Sequence, residues 1–174
     1  MNVMIRHLDQ TATLVASARL GELLADAVAG GASVGFDPGL AAAAAATWWR
    51  ESVAARVGTG AVTLLAAEVD STLVGTVQLV RPSFPNGRRR AEVAKLLVHS
   101  TFRRKGVARA LMKNVEEVAR ADGRVLLVLD TETGSGAKNL YDELGWLVAG
   151  VIPDFALDTD GRLHATTVMY RRLR

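Results

Sequence analysis

The chain has 174 residues, of which 49% are hydrophobic and 22% are charged. This balance excludes a disordered chain, and the length predicts one domain, residues 1–174, with its own hydrophobic core. The net charge of +3 is too small to indicate nucleic-acid binding, and the absence of cysteine excludes disulfides, zinc–thiolate sites and cysteine nucleophiles.

Metal and membrane signals are also missing from the sequence. No two of the three histidines have metal-ligand spacing, so no metal site is expected. The first residues lack an apolar signal-peptide core, and no uncharged apolar run is long enough to span a bilayer. The sequence therefore predicts a cytoplasmic protein without membrane association.

The N-terminal third carries one strand signal and two helix signals. Residues 3–6 are predicted to form a short strand, and apolar residues at helical spacing predict a helix over 11–28 that Gly30-Gly31 ends. Pro38 is well placed to open a second helix, which takes in the alanine tract and the adjacent Trp48 and Trp49.

The middle of the chain predicts a partly parallel sheet. Two β-branched runs, 62–69 and 72–80, flank a short turn and predict a β-hairpin. A strand over 91–99, a helix over 106–121 and a continuously apolar strand over 125–130 then follow. A strand, a helix and a strand in this order form a βαβ unit, whose two strands are parallel.

The C-terminal part predicts a short helix and two further strands. The helix is expected over 137–144, where Gly145 ends it, and the strands over 146–152 and 163–170, with Asp160-Gly161 near the turn between them. No internal repeat, linker or change of composition divides the chain.

The segment between the strand over 91–99 and the following helix is the most informative about chemistry. Arg103, Arg104 and Lys105 precede Gly106 at the start of that helix. The first turn of a helix has backbone N–H groups without partners and a partial positive charge, so it binds phosphate oxygens. The segment predicts a ligand that bears phosphate, without choosing among nucleotides, coenzyme A and sugar phosphates. The alternative is a basic surface turn that only caps the helix.

Two motifs resemble those of the GNAT superfamily of N-acetyltransferases. Arg103-x-x-Gly106-x-Ala108 is similar to the family's pyrophosphate motif, Arg/Gln-x-x-Gly-x-Gly/Ala. Asn139-x-Tyr141-x-x-x-Gly145-Trp146 is similar to its later helix, whose tyrosine lies near the coenzyme sulfur, with Trp146 replacing the usual phenylalanine. The resemblance implies an α/β fold with a mixed, mostly antiparallel sheet, a splayed parallel strand pair and about four flanking helices.

The same resemblance implies an acetyl-CoA-dependent enzyme that moves an acetyl group to a primary amine by direct attack in a ternary complex. Several segments also resemble the tabtoxin-resistance acetyltransferases over nearly the whole chain, which implies a small, amino-acid-like toxin or antibiotic as acceptor. These segments are Gly30–Phe36, Asn86-Gly87, Arg90–Leu96, Leu129–Ser135 and Asp160–His164.

Two other functions remain open at this point. One is a GNAT enzyme that acetylates a protein N-terminus or lysine, and the other is a non-catalytic acyl-CoA-binding module. The loop around 30–39 favours a small acceptor, because it is long enough to close over one. Only one of Trp48 and Trp49 can face the core, and the other is expected in the acceptor pocket or in an oligomer contact such as a homodimer.

The resemblance also assigns the coenzyme contacts. In GNAT enzymes the strand before the phosphate loop splays from its parallel neighbour, and its backbone holds pantetheine and the acetyl carbonyl. By position these residues are Leu96, Leu97 and Val98, with the amide of Leu96 or Val98 as the oxyanion donor. The other expected coenzyme contacts are Arg103, Arg104, Lys105, Gly106, Val107, Ala108, Arg109 and Asn139.

Three side chains are candidates for catalysis. An amine with a pKa of about 10 is protonated at neutral pH, so a base or a water chain must remove a proton. Glu92, which resembles the glutamate base of histone-acetylating GNAT enzymes, and Asp130 are the candidate bases; Asp130 is also a candidate amine anchor. As structural alternatives, Glu92 pairs with Arg90 or Lys95, and Asp130 caps the following turn. Tyr141 is the expected general acid for the thiolate, and its alternative is a packed helix tyrosine.

Overall fold

The computed structural model describes residues 1–158 and 160–173, which form one seven-stranded sheet in the order β1-β2-β3-β4-β5-β7-β6. Neighbouring strands are antiparallel except for β4 and β5, which are parallel. This arrangement confirms the predicted fold class. The strands are β1 (Met4–Leu8), β2 (Val62–Val69), β3 (Thr72–Val80), β4 (Arg90–Val98), β5 (Leu126–Glu132), β6 (Leu147–Leu157) and β7 (Leu163–Arg172).

Six α-helices flank the sheet in the described part of the chain and are arranged in four segments, in line with the prediction of about four helices. The first two are α1 (Gln10–Val15) with α2 (Ser17–Ala29), and α3 (Ala42–Trp48) with a π-helical turn (Trp49–Val53) and α4 (Ala54–Gly58); the others are α5 (Val107–Ala121) and α6 (Gly136–Glu143). The sheet face that carries Leu64 packs against α2 and α3, and the opposite face, which carries Leu65, packs against α5 and α6. The side chains therefore alternate between two apolar cores, as a sheet covered on both faces requires.

Both N-terminal helices differ from their predicted bounds. The predicted helix over 11–28 is interrupted at Ala16, which lets α1 pack against α4 and β1 while α2 packs against α3. The second helix begins at Ala42 and not at Pro38, because Gly39 adopts a φ of 78° and turns the chain before the helix starts. Residues 30–41 consequently form a loop, called the 30–41 loop below.

The strand β6 is longer than predicted. It continues past Ile152 and Pro153 to Leu157, with a bulge in its pairing with β7 between Ile152 and Ala156. The predicted strand ended at Ile152, directly before Pro153, and proline cannot donate to a sheet. At the edge of a sheet this restriction is weaker, since an outer strand uses only one side of its backbone and bulges accommodate proline.

A close approach between α2 and α3 yields a test of the helical layer. A Cβ added at Gly21 would lie 2.5 Å from the Ala42 carbonyl oxygen and 2.7 Å from the Ala46 nitrogen. Both atoms are backbone, so we expect Gly21→Ala to lower the free energy of unfolding by about 1–3 kcal/mol. Gly136→Ala is the matched control, since a Cβ there meets nothing within 4 Å. Equal stability of the two variants in urea unfolding would contradict the tight packing.

Candidate functional site

The two parallel strands separate in the middle of the sheet. They pair only through Arg90 with Leu126, Ala91 with Leu127 and Glu92 with Val128. Beyond Glu92, β4 stays paired with β3 as far as Val98 but leaves β5. The result is a gap between β4 and β5, which is the splayed pair that the family resemblance implied.

A bulge in β4 precedes the residues that border this gap. Lys95 and Leu96 lie opposite the single residue Val77, and Lys95 has a φ of 50°. This left-handed conformation costs a lysine on the order of 1 kcal/mol or more. The Thr76 hydroxyl donates a hydrogen bond to the Lys95 carbonyl oxygen at 3.1 Å, which holds the bulge against β3.

The backbone direction after the bulge follows from one hydrogen bond. The His99 N–H donates to the Val74 carbonyl on the β3 side at 2.9 Å. Because successive backbone N–H groups along a strand point to alternate sides, the Leu97 N–H faces β3 and the N–H groups of Leu96 and Val98 face the gap. These are the two amides that the sequence singled out as oxyanion donors.

The turn after β4 ends in an open helix terminus. Arg104 and Gly106 have φ values of 62° and 83°, and Gly106 is the N-cap of α5 without any side-chain cap. The Ala110 N–H donates to the Gly106 carbonyl at 3.0 Å, so the amides before Ala110 have no acceptor within the helix. The residues with these unpaired amides are Val107, Ala108 and Arg109.

The basic side chains of this segment are not equivalent. Arg103 Nε donates to the Val98 carbonyl at 3.1 Å, and its guanidinium lies 3.6 Å from Asp26. Arg109 pairs with Glu143 on α6. Arg104 and Lys105 are exposed, and Lys105 Nζ lies 5.3 Å from the Phe102 ring centroid.

Asp26, on α2, was not selected from the sequence. Its carboxylate accepts hydrogen bonds from the Ser100 backbone N–H at 2.8 Å and from the Ser100 hydroxyl at 2.7 Å. Burial opposes the ionisation of Asp26, but these hydrogen bonds and the charges of His99 and Arg103 outweigh it, so the pKa is lowered. Asp26 thereby ties the basic turn to α2, and no sequence motif marks a contact over 74 residues.

The two candidate bases lie on the same face of the sheet. Glu92 pairs with Val128 across the parallel strands, and Asp130 follows Val128 by two residues, so both carboxylates point away from the core around α5. Both residues are exposed. Within residues 1–158 and 160–173 neither forms an ion pair, and Asp130 accepts a hydrogen bond from the Thr166 hydroxyl at 3.2 Å. The ion pairs of Glu92 with Arg90 or Lys95 are therefore not observed.

Tyr141 lies on the opposite face of the sheet from Glu92 and Asp130. Its ring is buried in the core with α5 and lies 6.0 Å from the Trp146 ring, whereas Asn139 on the same helix is exposed. Burial, and after it the negative charge of Asp130, raises the pKa of Tyr141 to about 12. The phenol therefore stays protonated over the physiological range and is available as a hydrogen-bond donor.

An aromatic cluster stands beside the carboxylates. The Lys95 ammonium donates to the Val34 carbonyl in the 30–41 loop at 2.8 Å, and it lies 5.8 Å and 5.7 Å from the ring centroids of Phe36 and Trp48. Phe36 and Trp48 meet edge to face at 5.1 Å, while Trp49 is completely buried. Trp48 is thus the tryptophan that faces the site. A lysine among the apolar residues of 93–98 was the available sequence signal for this cluster.

Two further searches concern the described part of the chain. No group of three or more His, Cys, Asp or Glu side chains there is arranged to hold a metal ion. No helix among these residues is both long enough and apolar enough to cross a membrane.

A sheet opened between two parallel strands, with a basic helix terminus at the end of the opening, is suited to a long ligand that bears phosphate. The acetyltransferase (GNAT) family model matches residues 26–146. The chain belongs to this family.

Solved structures and a curated relative agree with this assignment. YncA from Salmonella typhimurium, solved with its cofactor acetyl-CoA, has a TM-score of 0.80 at 24% identity, over 100% of this chain and 95% of that one. A ribosomal-protein-alanine N-acetyltransferase from Brucella melitensis has a TM-score of 0.78 at 22% identity, over 98% and 99%. These two likenesses show the fold. N-acetyltransferase 8B of Rattus norvegicus is 37% identical over 86 residues, which is 48% of this chain and only 39% of the rat protein.

Proposed function

We propose that the chain acts as one domain, residues 1–174, which transfers the acetyl group of acetyl-CoA to a primary amine of a small molecule. The gap between β4 and β5, with its inward-facing amides, is the observation that carries this proposal. Pantetheine lies in the gap, and the pyrophosphate meets the unpaired amides of Val107, Ala108 and Arg109. The cofactor of the similar Salmonella structure supports this choice of ligand.

The three basic residues of the turn are assigned different roles in binding the coenzyme. Arg104 and Lys105 are exposed beside the helix terminus, so their charges are free to attract phosphate oxygens. Arg103 already contacts Val98 and Asp26, and we assign it to shaping the turn. In the gap, the Leu96 or Val98 N–H stabilises the tetrahedral oxyanion, a contribution of roughly 3–4 kcal/mol in other oxyanion holes. Asn139 is assigned to the pantetheine arm.

The chemical step needs no covalent intermediate on the protein. Glu92 or Asp130 accepts a proton from the ammonium form of the acceptor, directly or through water. The free amine attacks the thioester carbonyl carbon, a C–N bond forms, and the tetrahedral adduct then breaks its C–S bond. The second proton of the amine is released to solvent, and the coenzyme departs as a thiolate that takes up a proton from solvent.

The pKa of Tyr141 refines its predicted role. A phenol with a pKa of about 12 is a weaker acid than a thiol, at about 8.5. We therefore assign Tyr141 to donating a hydrogen bond to the departing sulfur, with complete proton transfer unfavourable at that stage.

Tyr141→Phe is expected to lower kcat by about 10- to 100-fold, because it removes this donor and keeps the ring. The dissociation constant of acetyl-CoA should change little. Steady-state kinetics and calorimetry measure the two effects. A kcat within about twofold of the wild type would assign Tyr141 to packing alone.

The acceptor that we favour is a small, amino-acid-like amine, such as a toxin or an antibiotic. The Lys95 cluster lies on the face of the sheet that Glu92 and Asp130 share, and we assign it to the wall of a small-molecule pocket. The segments that resemble the tabtoxin-resistance acetyltransferases support the same class.

The deciding experiment incubates the protein with acetyl-CoA and separate amines, with release of free thiol and product mass as readouts. The amines are amino-acid-like compounds, polyamines and peptides with free N-termini. Acetylation of an amino-acid-like compound is the expected result. Acetylation of peptides alone would favour a protein acceptor, and acetyl-CoA binding without turnover of any amine would indicate a non-catalytic module.

We also propose that two copies associate through β6. This edge strand is exposed along nearly its whole length, and Asp154 is its single charged residue. Its apolar side chains, with one from β7, are exposed to an extent that suits a surface covered by a second copy. These seven residues, each 45–60% exposed, are Leu147, Val148, Val151, Ile152, Phe155, Leu157 and Leu163.

Val151→Lys is expected to convert the dimer to a monomer, because it places a charge inside this surface. Val15→Lys is the matched control, since Val15 is exposed on α1. Light scattering after gel filtration measures the mass of each variant. A monomeric wild type would contradict the dimer.

A further inference from the structure

Lys95 connects three parts of the molecule that are distant in sequence. Its backbone belongs to the bulge of β4, its ammonium donates to Val34 in the 30–41 loop, and the same ammonium lies over Phe36 and Trp48. A cation over an aromatic ring is worth about 0.5–2 kcal/mol, and a hydrogen bond about 0.5–1.5 kcal/mol. A single side chain therefore holds the loop and the end of α3 against the sheet.

The position of Lys95 relative to the two candidate bases, Glu92 and Asp130, connects this contact with the candidate site. The negative charges of Asp130 and Glu92 both act on the ammonium, opposing the lowering of the Lys95 pKa that burial causes. Val34, Phe36 and Trp48 are packed on the core under α2 and α3, which lies on the face of the sheet that Glu92 and Asp130 share. The cluster thus stands next to both candidate bases.

The backbone conformation at Lys95 also indicates a functional role for its side chain. Asparagine and glycine adopt a φ of 50° with less strain than lysine does. The chain nevertheless places a long, flexible cation there, although stability of the bulge alone would favour a smaller residue. Strain of this kind is found where a side chain is needed for function.

We infer that Lys95 is a positioning residue that fixes Val34, Phe36 and Trp48 as a rigid wall of the acceptor pocket, and that this wall determines acceptor affinity. The inference rests on the proposed function, because the wall borders an acceptor only if the amine reacts beside Glu92 and Asp130. The Lys95 ammonium is not assigned to the reacting atoms, and its contacts are with the 30–41 loop and the end of α3, not with the residues assigned to the coenzyme.

The first experiment tests whether Lys95 holds the wall in place, and its readout does not depend on enzyme activity. Of the chain's three tryptophans, all in the described part, Trp49 and Trp146 are buried and Trp48 is partly exposed. Lys95→Met keeps the apolar stem and removes the ammonium, so acrylamide should quench tryptophan fluorescence more strongly in this variant. Lys113→Met, at an exposed position of α5, is the control and should match the wild type.

The second experiment measures kinetics in the same proteins. A wall that is closed in about one molecule in ten raises the acceptor KM about tenfold, and we expect this in Lys95→Met with an unchanged acetyl-CoA dissociation constant. Lys95→Asn also relieves the backbone strain, so it should be more stable than Lys95→Met and still show the same raised KM. A purely structural role would instead make stability and KM deteriorate together.

The outcomes separate the inference from the proposed function. Increased quenching in Lys95→Met, in a protein that acetylates no amine, would support the anchoring and overturn the proposed function. Unchanged quenching and an unchanged acceptor KM in both Lys95 variants, in an active enzyme, would overturn the inference and leave the proposed function standing.

Discussion

Replacing Gly106 by glutamate is expected to weaken acetyl-CoA binding at least about 100-fold, because like charges placed side by side cost several kcal/mol. The new carboxylate would lie at the N-terminus of α5, where we place the pyrophosphate. A Cβ at Gly106 meets nothing within 4 Å, so the side chain is accommodated without a clash. The loss of binding therefore arises from charge, and calorimetry measures it directly.

A pair of control variants separates charge from backbone strain at this position. Gly106 has a φ of 83°, so every side chain introduced there carries a conformational cost of about 1–2 kcal/mol. Gly106→Lys has the same cost as Gly106→Glu but the opposite charge, and it should retain most of the affinity. Equal losses in the glutamate and lysine variants would attribute the effect to strain. Unchanged binding in the glutamate variant would refute the site.

The second large effect that we expect is a loss of reaction rate when a candidate base is replaced. If Glu92 or Asp130 removes the amine proton, its neutral amide replacement should lower the rate by about 100-fold at neutral pH. Raising the pH supplies free amine from solution, so the deficit should shrink as the pH approaches the amine's own pKa of about 10. The measurement is a pH–rate profile of Glu92→Gln and Asp130→Asn with an accepted amine.

An acid that only anchors the cationic amine would give a different profile. It would chiefly raise the acceptor KM and leave the rate at saturation closer to that of the wild type. We expect Glu92 to follow the first behaviour and Asp130 to combine the two. Glu117→Gln, on the exposed surface of α5, is the control. A pH-independent loss with unaltered KM in both variants would favour a water chain that ends at backbone groups.

Much of the coenzyme side could be predicted because its signals are local. A strand, a basic turn with Gly106 and an amphipathic helix follow one another within 32 residues, from Arg90 to Ala121. The separation of β4 from β5 followed from the family resemblance, since no propensity marks the point after Glu92 where the pairing ends.

The acceptor side could not be predicted to the same extent. The contact between Lys95 and Val34 spans 61 residues and depends on a bulge with a left-handed lysine, which secondary-structure propensity disfavours. The Asp26 contacts to Ser100 span 74 residues. The prediction of β6 stopped five residues short of Leu157, because an edge strand can continue through a proline that would interrupt a central strand.

The gap between β4 and β5 also affects which parts of such a protein can change during evolution. The groups of Leu96 and Val98 that face the gap are main-chain amides, while their side chains pack against the core. Exchange of one apolar residue for another there would leave the proposed cosubstrate contacts intact. The wall of Val34, Phe36 and Trp48 is more sensitive to substitution, because its contacts depend on particular side chains and on the loop conformation. New acceptors can therefore evolve through the 30–41 loop while the inherited use of one acetyl donor persists unchanged.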